Sequence, residues 1–183
     1  MMLNELSLFT GYSGLGLGLR LAGLETRTVA YVEWDKYAQE LIQARIKDGY
    51  LDDAPIYGDI SAFRGEEYRG LVDIVSGGFP CQDLSTSGRR AGLDGERSGL
   101  WWEMLRCVRE VGPRYVLIEN VPGILVGGQA GTVAGELASI GYSSVAHLVH
   151  AESVGAPHLR WGRLWLVTKG EEEDEGTVIR RGS

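Results

Sequence analysis

One segment of the chain reads Gly77-Gly78-Phe79-Pro80-Cys81-Gln82, a thiol set in a stretch that two glycines and a proline would shape into a rigid loop. Only the thiolate attacks carbon well, so such a cysteine needs positive potential or helix dipoles around it. The bases do cluster, at Arg89-Arg90, Arg97 and Arg160 to Arg163. Further on, Glu119-Asn120-Val121-Pro122 closes an apolar run. A carboxyl at the end of a buried strand is costly unless it is paired, neutral or used. The residue types leave Glu119 and Asn120 open between that use and a plain helix cap. A third group of positions suits an adenosine-containing cofactor. Phe9-Thr10-Gly11-Tyr12-Ser13-Gly14 is a glycine-rich turn that lets backbone approach a ligand closely. Glu33, about twenty residues later, has the spacing of an acid that accepts from ribose hydroxyls. Trp34 could cover a base, and Asp59-Ile60 could hold an adenine edge. A P-loop lysine is missing from the glycine-rich turn, which favours a nucleoside-like cofactor over a triphosphate.

These positions matter only if the elements bring them together. Leu6–Phe9 reads as a short buried strand, followed by the turn and a helix to about Leu24. Thr28–Val32 is a β-branched second strand, and Asp35 caps a helix to about Lys47. Pro55–Tyr57 is a weak third strand, Leu71–Val75 a fourth. Ser76–Gly99 is a loop of 24 residues with six glycines, a length that usually carries function or disorder. A helix over Leu100–Val111, a fifth strand over Arg114–Ile118 and a helix over Thr132–Ile140 closed by Gly141 follow. Two last strands, Tyr142–Val149 and Leu164–Val167, form a hairpin with a long connection. Val154–Arg163 reads as a basic loop before the last of them. Such alternation gives an α/β fold with a mostly parallel sheet and helices on both faces. Ligands of these sheets bind at the carboxyl ends of the strands, where Phe9, Glu33, Asp59, Cys81 and Glu119 all fall.

Composition sets the outer limits. The chain has 183 residues, 44% hydrophobic and 23% charged, which excludes a disordered chain and suits one domain. No apolar run is long enough to span a bilayer, and the N-terminus lacks the basic start of a secretory signal. Two cysteines, Cys81 and Cys107, are too few for a disulfide scaffold or zinc ribbon and fit a reducing cytosol; no metal is expected. Cys107 has the helical spacing of a core residue. The net charge of -7 does not announce a nucleic-acid binder, so any basic surface must be local. Residues 1–168 are expected to form the domain and 169–183 an acidic, disordered tail.

Taken together, Phe9…Gly14, Pro80-Cys81-Gln82, Arg97-Ser98-Gly99-Leu100-Trp101, Glu119-Asn120-Val121 and Gly155-Ala156-Pro157-His158 with its arginines resemble, in order, the carbon-5 cytosine DNA methyltransferases. The resemblance covers residues 6 to 168. It implies a Rossmann-like S-adenosylmethionine-dependent methyltransferase fold with a C-terminal antiparallel strand. It also implies DNA methylation of the restriction-modification kind, in a bacterial or viral cytoplasm. Cys81 would add to carbon 6 of cytosine and turn the ring into an enamine able to take a methyl group at carbon 5. Glu119 would hydrogen-bond or protonate ring nitrogen N3, Asn120 would shape that site, and Arg160 or Arg163 would stabilise the adduct. S-adenosylmethionine would touch Phe9, Gly11, Gly14, Glu33, Trp34, Asp59, Ile60, Pro80 and Leu100. The cytosine must leave the duplex, with Phe79, Gln82, Ser85, Ser87, Arg89, Arg90 and Arg97 contacting DNA.

The chain departs from the family pattern in three places. Ser13 stands where a glycine is usual. The arginine pair is spaced Arg160-Trp161-Gly162-Arg163, one residue longer than usual. The sequence read here also lacks a target-recognition region and the helix that returns to the cofactor pocket. The expected result is an apolar patch beside the first helix (Leu17, Leu19, Leu21) that takes a second copy or another polypeptide supplying recognition. A catalytically silent relative, acting as a cofactor- or DNA-binding module, would share the fold. A nicotinamide-dependent dehydrogenase would share the glycine turn and Glu33 but leave Pro80-Cys81-Gln82 and Glu119-Asn120-Val121 unexplained.

Overall fold

The computed structural model describes residues 1–79, 99–120, 129–155 and 161–170. Cys81, Pro80, Gln82, Ser85, Ser87, Arg89, Arg90, Arg97 and Arg160 lie outside these residues, as does the acidic segment from 171 onward.

Seven strands form one sheet in the order β3-β2-β1-β4-β5-β7-β6. They are β1 (Leu3–Leu8), β2 (Thr26–Val32), β3 (Ile56–Tyr57), β4 (Ile74–Gly77), β5 (Tyr115–Asn120), β6 (Tyr142–His150) and β7 (Trp161–Lys169). The first five are parallel; β7 runs antiparallel between β5 and β6. The helices are α1 (Gly14–Leu21), α2 (Lys36–Lys47), α3 (Gly99–Val111) and α4 (Gln129–Ser139). Strand order advances one way through β1-β2-β3 and the other way through β4-β5. With right-handed crossovers, α1 and α2 therefore cover one face, and α3 and α4 the other.

The two faces are built differently. On the α3 side the core is apolar: Leu6, Leu8, Val75, Val116, Ile118, Trp165 and Val167 meet Trp101, Met104, Val108, Val133 and Leu137. On the α1 side β1 and β4 present a buried polar seam. Glu5 is fully buried, and its carboxylate accepts from Ser76 Oγ (2.5 Å) and Thr28 Oγ1 (3.1 Å), linking β1 to β4 and β2. A Cβ on Gly16 of α1 would lie 2.8 Å from Glu5 Oε2, so the helix sits this close only because that residue is glycine.

Several boundaries differ from the sequence reading. α1 stops at Leu21, where Ala22 and Gly23 turn the chain. β4 starts at Ile74, just after Asp73, whose carboxylate accepts from the Asn4 N–H (2.8 Å). β5 continues through Glu119 and Asn120, and β7 begins at Trp161, so Arg163 is a strand residue paired with Asn120 and not part of a loop. Asp35 caps α2 as expected, accepting from the Ala38 N–H. Cys107 is buried in the α3 core, as its spacing predicted. Among the described residues, no helix is long and apolar enough to cross a membrane.

Candidate active site

The carboxyl ends of the parallel strands open onto two adjoining cavities. The first is a cleft of 590 Å³ lined by Phe9, Val32, Glu33, Trp34, Asp35, Gly58, Asp59, Ile60, Gly78 and Leu100. It brings together six of the residues expected to hold the cofactor: Phe9, Glu33, Trp34, Asp59, Ile60 and Leu100. The second cavity, of 440 Å³, is lined by Ser7, Leu8, Phe9, Thr10, Tyr12, Ser13, Gly14, Leu15, Gly78 and Glu119. Phe9 and Gly78 line both, so the cavities meet between the ends of β1 and β4.

The turn after β1 is held in a demanding conformation. Phe9 and Ser13 have φ of 50° and 57°, and Gly11 has 52°. The left-handed region costs an ordinary L-residue roughly 1–2 kcal/mol, so Ser13 bears a strain that the usual glycine would not. What pins the turn is Glu33. Its Oε2 accepts from the Gly11 N–H (2.7 Å) and its Oε1 from the Asp35 N–H (2.8 Å), while its carbonyl accepts from Gln39 Nε2 (2.5 Å). Glu33 thus ties the first turn to the start of α2, and each carboxylate oxygen keeps a lone pair for a ligand hydroxyl. Gly11 is itself outside both linings and acts through this bond.

Trp34 is 76% exposed at the cleft's edge, a placement suited to covering a planar group. Asp59 Oδ1 is occupied by its own turn, accepting from Ser61 N and Oγ (both 2.8 Å). Ile60 is buried and Leu100 packs against the core, so both form firm apolar walls. Their backing comes from Arg106 of α3, which donates from Nη2 to the Ile60 carbonyl (2.7 Å) and from Nη1 to the Phe63 carbonyl (3.0 Å). Burial works against the charge of Arg106, but hydrogen bonds to Glu110 and Glu103 outweigh it and hold the pKa above its ordinary value.

Glu119 reaches the second cavity from β5, half-buried. Gly78 lies under it: a Cβ there would be 2.9 Å from Glu119 Oε2, and one on Gly162 would be 3.9 Å from Oε1. Gly78 therefore gives the carboxyl its room, whereas a side chain at Gly162 would make only an ordinary contact with it. Asn120 and Arg163 are partners across β5 and β7, at the same strand end as Glu119.

Phe79, assigned to DNA, is buried and packs on Trp101 at a centroid distance of 5.4 Å. Its apolar ring is stabilised more by the core than by solvent. The patch expected at α1 is only partly there: Leu17 and Leu21 are 57% and 79% exposed, but Leu19 is 8% exposed and belongs to the core. Val32, Asp35, Gly58 and Gly78 line the 590 Å³ cleft without having been assigned to it, Asp35 having been read only as a helix cap. Gly78 carried a signal in the Gly-Gly before Phe79; Val32 and Gly58 carried none.

An α/β sheet of this order, with its clefts at the β1, β2 and β4 ends, is the fold of the S-adenosylmethionine-dependent methyltransferases. The Dnmt2 methyltransferase of S. pombe superposes with a TM-score of 0.73 at 21% identity, over 96% of this chain and 52% of its own. A model of the family described as C-5 cytosine-specific DNA methylase matches residues 3–177, and the chain belongs to that family. Its relatives include the type II methyltransferase M.HhaI of Haemophilus parahaemolyticus, 34% identical over 90% of this chain and 48% of that protein. M.CviJI of Paramecium bursaria Chlorella virus IL3A is 28% identical over 98% of this chain and 47% of its length. The chain therefore spans about half the length of these relatives. S-adenosylmethionine is the methyl donor of the family.

Proposed function

We propose that the chain transfers a methyl group from S-adenosylmethionine to carbon 5 of a cytosine flipped out of DNA, through a covalent adduct on Cys81. The observation that carries the reading is the joining of the two cavities across Phe9 and Gly78. One holds Glu33, Trp34, Asp59 and Ile60, the other Glu119. A cofactor in the first and a base in the second would meet at that junction.

The donor set fits the cofactor: an oriented carboxylate for ribose hydroxyls at Glu33, an aromatic cover at Trp34, and apolar walls at Ile60 and Leu100. When bound, S-adenosylmethionine supplies an electrophilic methyl group. The protein's part is to make the cytosine accept it. The Cys81 thiolate adds at carbon 6 while Glu119 hydrogen-bonds or protonates N3, so that charge does not build on the ring. Carbon 5 then takes the methyl group, releasing S-adenosylhomocysteine; water takes the carbon-5 proton, the ring double bond re-forms as the bond from carbon 6 to sulfur breaks, and Cys81 leaves as thiolate. Gly11 and Pro80 belong to the cofactor side in this reading, as does Gly14, which lines the second cavity and so would be reached by the cofactor across the junction. Asn120, Arg160 and Arg163 belong to the base side, and Gln82, Ser85, Ser87, Arg89 and Arg97 to the DNA. Residues 1–168 form the catalytic domain.

Exposed Leu17 and Leu21 support a contact with a second copy or another polypeptide that supplies target recognition. The bacterial and viral relatives support action on DNA in such a setting.

The test mixes purified chain, tritiated S-adenosylmethionine and DNA, beside Cys81→Ala. Label in DNA that disappears in the variant supports the assignment. A 5-fluorocytosine substrate blocks the final proton loss, so the wild type should remain attached to it. Cofactor binding without label or trapping would point instead to a silent binding module.

A further inference from the structure

Arg106 does not line either cavity, yet its guanidinium ties the turn that forms one wall of the cleft to the helix that begins at the other. Nη2 donates to the Ile60 carbonyl and Nη1 to that of Phe63, on the turn that follows β3. Nε donates to Glu103 Oε2 (2.8 Å), and Nη1 to both oxygens of Glu110 (2.7 and 2.9 Å), on its own helix. Glu110 then accepts from the Gly65 N–H (2.9 Å), a second link from α3 to the same stretch of chain. Ile60 is one wall of the cleft. Leu100, the second residue of α3, is another.

We infer that Arg106 is a positioning residue for cofactor binding, setting the spacing of the Ile60 and Leu100 walls by clamping the turn that carries Asp59 and Ile60 to α3. The inference rests on reading the 590 Å³ cleft as the cofactor site. Arginine suits the task because its planar fork reaches two carbonyls and two carboxylates at once, whereas an ammonium is a single point. The turn has other anchors. Phe63 is buried, stacks on Tyr68 (5.4 Å) and meets Tyr57 edge-on (5.0 Å), and the Phe63 N–H also bonds to the Ile60 carbonyl (3.2 Å). Loss of the clamp therefore loosens the wall without detaching the turn.

The experiment compares wild type with Arg106→Lys and Arg106→Ala, each checked for fold by circular dichroism. Binding of S-adenosylmethionine is measured by calorimetry, and methyl transfer as KM and kcat for cofactor and DNA separately. Arg106→Lys should keep the fold and raise the cofactor Kd and KM about tenfold. Its kcat at saturating cofactor should stay within twofold, and the DNA KM should not change. Added guanidinium ion should restore part of the affinity of Arg106→Ala. Folded variants that bind the cofactor as tightly as a binding-competent wild type would overturn the inference and leave the cleft assignment standing. So would a lowered kcat with unchanged cofactor KM. A wild type that does not bind S-adenosylmethionine would overturn both.

Discussion

Gly78 and Glu119 face each other so closely that a first side-chain carbon on Gly78 would sit 2.9 Å from Glu119 Oε2. The end of β4 thereby sets where the carboxyl of β5 can point. Gly78→Ala should push that carboxyl aside, since the backbone at Gly78 is not left-handed and steric conflict is the only cost. Misplacing a catalytic group by about 1 Å can cost roughly a hundredfold in rate. The expected outcome is a kcat about a hundredfold lower in a folded protein, measured by label transfer to DNA. Unchanged turnover would show that Glu119 has room to yield.

Ser13 offers the opposite case, a residue whose replacement by glycine should help. It holds φ of 57° at the start of α1. Ser13→Gly removes roughly 1 kcal/mol of left-handed strain, offset in part by greater freedom of the unfolded chain. The net should be a Tm rise of about 1–3 °C. A Tm at or below that of the wild type would mean that the serine hydroxyl contributes more than the strain costs.

Glu33 supports two backbone donors, Gly11 and Asp35. In Glu33→Gln one acceptor becomes an NH₂ group that faces an N–H. The variant should lose about 1–2 kcal/mol of stability and bind S-adenosylmethionine at least tenfold more weakly. Calorimetry and thermal unfolding separate the two effects. Weakened binding without loss of stability would argue against the bracing role, and the reverse against the ribose contact.

The buried thiol of Cys107 is pushed up to about 12 from an ordinary 9.0 by burial. Below pH 9 the thiol is protonated in both states and its contribution is complete. Between pH 9 and 12 only the unfolded chain ionises, so stability falls by about 1.4 kcal/mol per pH unit. Tyr142, raised to about 12 by burial, adds to the decline above pH 10. Urea midpoints at pH 8 and 10.5 should converge more closely in Cys107→Ala than in the wild type. Equal slopes would refute the assignment. At neutral pH a thiol reagent should modify Cys107 only after unfolding.

The exposed pair Leu17 and Leu21 supplies a test of association. If a second copy covers α1, Leu17→Glu with Leu21→Glu should turn a dimer into a monomer by sedimentation, with little change in Tm. A wild type that is already monomeric and binds apolar dyes weakly would remove the self-association reading.

Much of this site is legible in the sequence because strand ends are. Short β-branched or apolar runs end at Phe9, Val32 and Tyr57, and Phe9 with the residues after the other two (Glu33, Trp34, Asp59, Ile60) do gather in one cleft. The far end of the sheet reads less well. Glu119, Asn120 and Arg163 are polar and suggest a strand already finished. They remain in strands because β7 runs antiparallel beside β5 and supplies their backbone partners, a contact between distant segments that no local pattern carries. Phe79 stays outside the strands, as its position before Pro80 suggests, but its burial is less legible: Trp101, on a helix further along the chain, gives its ring a core neighbour. Arg106 shows only helical spacing in the sequence. Its four partners lie on two elements and become visible together only in the fold.

The position of β7 has a consequence for how the sheet is completed. Among the described residues β6 pairs with no strand except β7, and β7 comes later in the chain than either of its neighbours. Until residues 161–169 are available, β6 has no ladder partner and β5, which carries Glu119, is an unprotected edge open to foreign strands. During synthesis the parallel half can assemble first, but the wall behind the carboxyl forms in a single closing step. A chain that reached β6 without β7 could shape the cleft at the ends of β1, β2 and β3, would lack the wall behind Glu119, and would be prone to aggregate.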